Sequence, residues 1–179
     1  MKITVVCGSL RKNSLTRVLT DIAFEHARSG CHQVKYIDLG KEKLPAFEGF
    51  EADYDELVLA LVKEIEGTDV FIIGSPVYNG CMASAIKNLF EFVDYKVLEG
   101  SAAGFIIKAA SNISFLQVHG QLQDLMNYFR VVSNPRSVHA TDEDFEGMNL
   151  KNQKIKQRIA DLVDKTVGLW GKVSKKGRC

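Results

Sequence analysis

The chain has 179 residues, 46% of them hydrophobic and 25% charged, and Lys+Arg 23 against Asp+Glu 22 gives a formal net charge of +1. That length favours a single compact domain, and the apolar fraction excludes a wholly disordered chain. A near-neutral chain lacks the field that would draw it to nucleic acid or to an anionic membrane surface, so neither is expected as a partner.

Apolar runs and amphipathic stretches alternate along the chain. Ile3-Thr4-Val5-Val6-Cys7, bounded by Gly8, reads as a buried strand. Leu15, Val18, Leu19, Ile22, Ala23 and His26 then recur at helical spacing, with His26 expected at the boundary of the stripe. Val34-Lys35-Tyr36-Ile37 alternates in polarity, as an edge strand does. Tyr54, Leu57, Val58, Leu61 and Ile65 mark a second helix, with Asp53 as the expected N-cap and Asp55 and Glu56 in its first turn. Val70-Phe71-Ile72-Ile73 is apolar on both faces and therefore central.

Ile86, Leu89, Phe90 and Val93 mark a third helix, and Ala103-Gly104-Phe105-Ile106-Ile107 a further buried strand. A fourth helix carries Val118, Leu122, Leu125, Met126 and Phe129. A weak strand over residues 131–138 follows, interrupted by Pro135. Ile155, Ile159, Leu162, Val163, Thr166 and Trp170 close with a fifth helix, Met126 and Trp170 being core positions.

Five strand–helix units with both-face-apolar central strands predict an α/β fold: three layers, doubly wound, around a five-stranded parallel sheet. Residues 1–171 read as one domain and residues 172–179 as a flexible tail. No apolar run reaches the ~18 residues of a membrane-spanning helix, and no signal-peptide pattern opens the chain, so the cytoplasm is the expected location. Cys7, Cys31, Cys81 and Cys179 form no C-x-x-C pair and no Cys/His cluster, which leaves reduced thiols and no metal site.

In an open α/β sheet ligands sit beyond the carboxyl ends of the strands. The first loop there is Gly8-Ser9-Leu10-Arg11-Lys12-Asn13-Ser14, which matches neither a P-loop nor a dinucleotide fingerprint. It offers a helix N-terminus, two hydroxyls and a guanidinium, a set that suits one phosphate monoester. The same residues also fit a plain capped helix start, with Ser14 as N-cap and Arg11 in solvent. The second loop, Gly74-Ser75-Pro76-Val77-Tyr78-Asn79-Gly80, combines a stiff backbone, an aromatic plane and a glycine that permits close approach. It suits a planar ring, or an ordinary turn.

These residues resemble the NAD(P)H-dependent FMN reductase family. The first loop is similar to the family's G-S-x-R-x-x-S phosphate loop and the second to its S-P-x-Y-x-x motif. Ala85-Ile86-Lys87-Asn88 and Asp38-Leu39…Leu44-Pro45 match two further segments, so the resemblance covers roughly residues 1–140. It implies a flavodoxin-like fold with strand order 2-1-3-4-5 and FMN and NADPH (or NADH) as cofactors. Ser9, Arg11 and Ser14 would hold the FMN phosphate, and Pro76, Val77, Tyr78, Asn79 and Gly80 would line the isoalloxazine. No catalytic side chain is assigned, because the flavin carries the hydride and the protein positions the rings.

One stretch departs from the family. Where a glycine-rich turn usually meets the pyrimidine end of the flavin, this chain has Ala109-Ala110-Ser111-Asn112. Ser111 and Asn112 are therefore candidates to replace the missing backbone contacts. The resemblance further implies a small-molecule electron acceptor (free flavin, quinone or azo compound), a homodimer or homotetramer, and a flavin monooxygenase as a partner. The dimer contact is expected on the helix over residues 84–94, through Lys87, Glu91 and Asp94, with Phe92 beside them. Two other readings compete: a flavodoxin-type FMN electron carrier, and an interaction module that keeps the fold without flavin.

Overall fold

The computed structural model describes residues 1–42 and 44–174. Strand β1 (Lys2–Cys7) leads into helix α1 (Leu15–Arg28), then β2 (Gln33–Asp38), a single helical turn α2 (Leu39–Glu42) and helix α3 (Glu56–Glu66). Strand β3 (Val70–Pro76), α4 (Ser84–Glu91), β4 (Ala102–Lys108) and α5 (Phe115–Tyr128) follow. The chain ends with short strands β5 (Val132–Ser133) and β6 (Val138–Ala140), a hairpin of β7 (Phe145–Glu146) and β8 (Asn149–Leu150), and helix α6 (Gln153–Val173).

The main sheet is parallel, in the order β2-β1-β3-β4-β5, with β6 also pairing β4. This is the doubly wound, flavodoxin-like order expected from the sequence. Its central strands are buried on both faces, so alternate side chains feed two separate cores. Phe71, Ile73, Phe105 and Ile107 pack under α3, α4 and α5, whereas Val5, Ile72 and Ile106 pack under α1 and α6. Val34 and Tyr36 are only partly buried on β2, in keeping with its place at the edge.

Several details differ from the sequence reading. The N-cap of α3 is Asp55, whose carboxylate accepts the Val58 N–H at 2.9 Å, and not Asp53. The helix starts later because the Asp55 backbone is extended, which places its carboxylate over the first free N–H groups. Residues 131–138 are two strand pieces. Between them the Asn134 N–H still donates to the Ala103 carbonyl at 2.7 Å, and Pro135, which has no N–H to offer, ends the first pairing. The last helix runs to Val173 and Ser174 is buried, so the expected tail begins inside ordered helix; residues 175–179 lie outside the described residues.

Helix α4 stops at Glu91, and Phe92 is buried rather than beside a charged face. Its ring packs edge-on against Phe47 and Tyr54, contacts made by a loop that helical spacing alone does not reveal. Among the described residues no helix is long and apolar enough to cross a membrane.

Candidate functional site

The loop after β1 and the loop after β3 start side by side, because the two strands are paired up to Cys7 and Gly74. The Gly8 N–H donates to the Gly74 carbonyl at 2.8 Å, which extends the pairing one step into the loop. A side chain on Gly8 would run into the side chain of Ile86 on α4, so glycine here leaves room for that isoleucine to pack against the loop.

Ser14 caps α1, with its hydroxyl accepting the Arg17 N–H at 3.3 Å. Ser9 and Ser14 are both buried, while Arg11 is exposed. The loop is shaped by a residue that the sequence reading missed. Arg17 donates through Nη1 to the Arg11 carbonyl at 3.1 Å and the Lys12 carbonyl at 3.0 Å, and through Nη2 to the Ser9 carbonyl at 3.4 Å. Its Nε and Nη2 also bind the two Asp38 oxygens, at 2.6 and 3.0 Å. Three loop carbonyls are thus drawn to one guanidinium and away from the helix N-terminus, while the Arg11 N–H donates to Ser9 Oγ at 3.4 Å.

Burial alone would push the Asp38 carboxyl up. The Arg17 hydrogen bonds and charge, helped by the Gly40 N–H and Lys41, outweigh it and hold the group below the ordinary carboxylate range. In the sequence this pair is signalled only by Asp38-Leu39, which gives no indication of Arg17 as its partner.

The second loop is tight. Tyr78 and Cys81 exchange two backbone hydrogen bonds of 2.9 Å, with Asn79 at φ +50° and Gly80 at φ +78° between them. Positive φ at both central positions is what an Asn-Gly pair supplies in a two-residue hairpin turn. Ser75, fully buried, donates to the Pro76 carbonyl and accepts the Ala83 N–H, which fastens the loop to the start of α4. Cys81 is exposed beside the turn.

The two loops meet where the Tyr78 hydroxyl lies 3.4 Å from Ser9 Oγ. Around that contact is a cleft of about 550 Å³ lined by Ser9, Arg11, Ser14, Pro76, Val77 and Tyr78, with Ala109 and Ala110 from the loop after β4. Six of the ten residues singled out from the sequence thus share one wall. Asn79, Gly80, Ser111 and Asn112 are not part of it. Gly80 faces the start of α5, near Gln117 and Ser114, and Ser111 and Asn112 are exposed.

The cleft also takes Asp142, Gly147 and Met148 from the short helical turn and hairpin that follow β6. No part of this segment was read from the sequence, because its two-residue strands carry no periodic signal. The wall fits an FMN molecule in kind: donors and a cation gather at the helix N-terminus, and Pro76, Val77, Ala109 and Ala110 give an apolar side. Its size falls within the roughly 300–1,000 Å³ of ligand pockets.

A doubly wound parallel sheet with a polar cleft beyond the carboxyl ends of β1, β3 and β4 defines a flavodoxin-like protein. The chain belongs to the NADPH-dependent FMN reductase family, whose family model matches residues 1–146. It is 25% identical over 166 residues to an NAD(P)H-dependent FAD/FMN reductase of Geobacillus thermodenitrificans, covering 90% of this chain and 89% of that one. It is 26% identical over 172 residues to an FMN reductase (NADPH) of Pseudomonas aeruginosa, covering 95% and 92%. The fold is shared with a solved oxidoreductase of Corynebacterium diphtheriae, with TM-score 0.81, 22% identity and 97% and 98% of the chains covered.

Proposed function

We propose that this protein is a flavin-dependent oxidoreductase whose cleft holds FMN, with its phosphate on Ser9, Arg11 and Ser14 and its ring against Pro76, Val77 and Tyr78. The carrying observation is that one cleft collects the hydroxyls and guanidinium of the first loop with the aromatic and proline of the second. Bound FMN supplies the redox chemistry, accepting a hydride from NADPH or NADH and passing electrons to a small acceptor such as free flavin, a quinone or an azo compound.

The chain's own groups bind and orient. The helix N-terminus and Arg11 meet the phosphate charge, and Arg17 keeps the loop open to it. Asn79 and Gly80 hold the turn that presents Tyr78, and so act on the ring through the backbone. Ser111 and Asn112 lie outside the cleft wall, exposed in the loop that continues from Ala109 and Ala110, and are proposed for the far edge of the flavin only if that loop closes onto it. If reduced flavin leaves, a flavin-consuming monooxygenase is the class of partner that would use it. We keep residues 1–171 as one functional domain.

A second copy of the chain is the proposed occupant of the groove between α4 and α5. This groove, about 680 Å³, is lined by Phe50, Phe90, Tyr95, Leu125 and Tyr128 and rimmed by Lys87, Glu91 and Asp94. Phe50 is 70% and Tyr128 67% exposed, large apolar areas for a lone surface. Lys87 is paired with Glu91 of its own helix at 2.5 Å, so the second copy meets a neutralised pair and not a free cation.

Two measurements test the reading. Purified protein reconstituted with FMN is mixed with NADPH or NADH in a stopped-flow instrument, and bleaching of the flavin absorbance is expected; a flavin that binds but is reduced by neither nicotinamide refutes the reductase reading. Light scattering at micromolar concentration is expected to give a dimer or tetramer mass, and a monomer would remove the proposed contact.

A further inference from the structure

Lys108 is the last residue of β4, and its side chain is only 13% exposed. A lysine ammonium is costly to cover unless it is paired. Its partner is the carboxylate of Asp142, which is 60% exposed and opens the helical turn after β6. Both groups line the cleft that holds Ser9, Arg11, Asn13 and Ser14.

The backbone fixes this arrangement. The Val77 N–H donates to the Lys108 carbonyl at 2.8 Å, so Lys108 is tied to the second loop. The Asp142 N–H donates to the Ala110 carbonyl at 3.4 Å, so the carboxylate is carried on a separate segment. The charged side chains of the cleft are therefore two cations, Arg11 and Lys108, and one anion, Asp142.

We propose that Lys108 is a second cation for the FMN phosphate, and that Asp142 is the counter-ion it exchanges for that phosphate on binding. A phosphate monoester carries close to two negative charges at neutral pH and cannot share the cleft with a carboxylate without repulsion. Asp142 is the group that can yield, because it already lies mostly in solvent. Lys108 is held by its strand, and its side chain, mostly covered, is screened less than that of the exposed Arg11. Binding thus replaces one ion pair by another, and part of the attraction to phosphate is spent in displacing Asp142.

The proposal rests on the cleft being the FMN site. The test is fluorescence titration of FMN and of riboflavin, which has no phosphate, into wild type, Lys108→Gln, Lys108→Arg, Asp142→Asn and, as a control, Arg11→Ala. Lys108→Gln is expected to weaken FMN by about tenfold or more and riboflavin by less than about twofold. Lys108→Arg is expected to restore most of the loss. Asp142→Asn, at an exposed position, is expected to tighten FMN by about threefold or more, and to lose that effect when combined with Lys108→Gln. Equal losses for FMN and riboflavin in Lys108→Gln, or weaker FMN binding in Asp142→Asn, would overturn the exchange. A wild type that binds neither flavin refutes the FMN reading itself. A wild type that binds FMN and depends on Arg11 but not on Lys108 overturns only the role of the lysine.

Discussion

Arg17 and Asp38 form a two-pronged pair, 2.6 and 3.0 Å long, that ties the first turn of α1 to the carboxyl end of β2. Asp38 is 3% exposed and Arg17 18%. The same guanidinium collects three carbonyls of the loop after β1, so one side chain joins sheet, helix and loop.

Removing one partner of such a pair leaves the other buried and uncompensated, which typically costs about 3–5 kcal/mol; the partial exposure of Arg17 sets the expectation at the lower end, about 3 kcal/mol. Arg17→Ala is expected to lower the urea midpoint accordingly and also to weaken FMN, because the loop carbonyls lose their donor. The Asp38 carboxyl lies below its unfolded value of about 3.9. Its contribution is therefore complete above that pH and is lost as the pH falls through the depressed folded value. In Arg17→Ala the acid limb of the stability profile is expected to flatten. Unchanged acid unfolding in the variant would show that the pair does not govern it.

Arg11 is the exposed cation of the first loop that lines the cleft. A charge-assisted hydrogen bond contributes roughly 1.5–3 kcal/mol, so Arg11→Ala is expected to weaken FMN by about 10- to 100-fold. Added salt is expected to weaken wild type more than the variant. Equal FMN affinities would leave this loop as a capped helix start and nothing more.

Gly74 tests the packing beneath the second loop. A side-chain carbon there would collide with Thr20 Cγ2 on α1 and come within 3.3 Å of Thr16 Cγ2. Gly74→Ala is expected to cost about 1–3 kcal/mol. Thr20→Ser removes the colliding methyl while keeping the hydroxyl that contacts Tyr36 Oη at 2.8 Å. The double variant is therefore expected to recover a large part of the loss in chemical denaturation; purely additive losses would mean that the strain lies elsewhere.

The loop after β4 bears on cofactor retention. Ala109 and Ala110 stand where glycines would let the backbone approach, and neither Ser111 nor Asn112 reaches the cleft wall. FMN is expected to bind near micromolar, about −8 kcal/mol, and to dissociate during gel filtration. Full retention through extended dilution would establish a permanently held cofactor instead.

The parallel sheet and both helical layers were legible because β3 and β4 are apolar on both faces and the helices carry clean stripes, whereas the strand order came only with the family resemblance of the two loops. Part of the candidate cleft was legible as well, since Ser9, Arg11, Ser14, Pro76, Val77 and Tyr78 sit in two loops that follow readable strands. What escaped was tertiary. Arg17 lies on a helix surface where an arginine is ordinarily solvated, and only the register of β1 with β2 brings Asp38 beneath it. Phe92 and the segment with Asp142 and Met148 depend on loops whose course no periodicity encodes.

The break at Asn134 and Pro135 also bears on what the protein avoids. An outer strand with a continuous row of free N–H and C=O groups is a template on which other chains can grow a sheet. Here that margin is divided into pieces of two and three residues, with a proline between them and the amide side chain of Asn134 turned inward to Thr166 at 3.3 Å. The opposite margin, β2, points Gln33 and Lys35 into solvent. A sheet so hydrophobic in its middle thereby carries two margins whose short pieces, proline and exposed polar side chains work against edge-to-edge pairing with another chain.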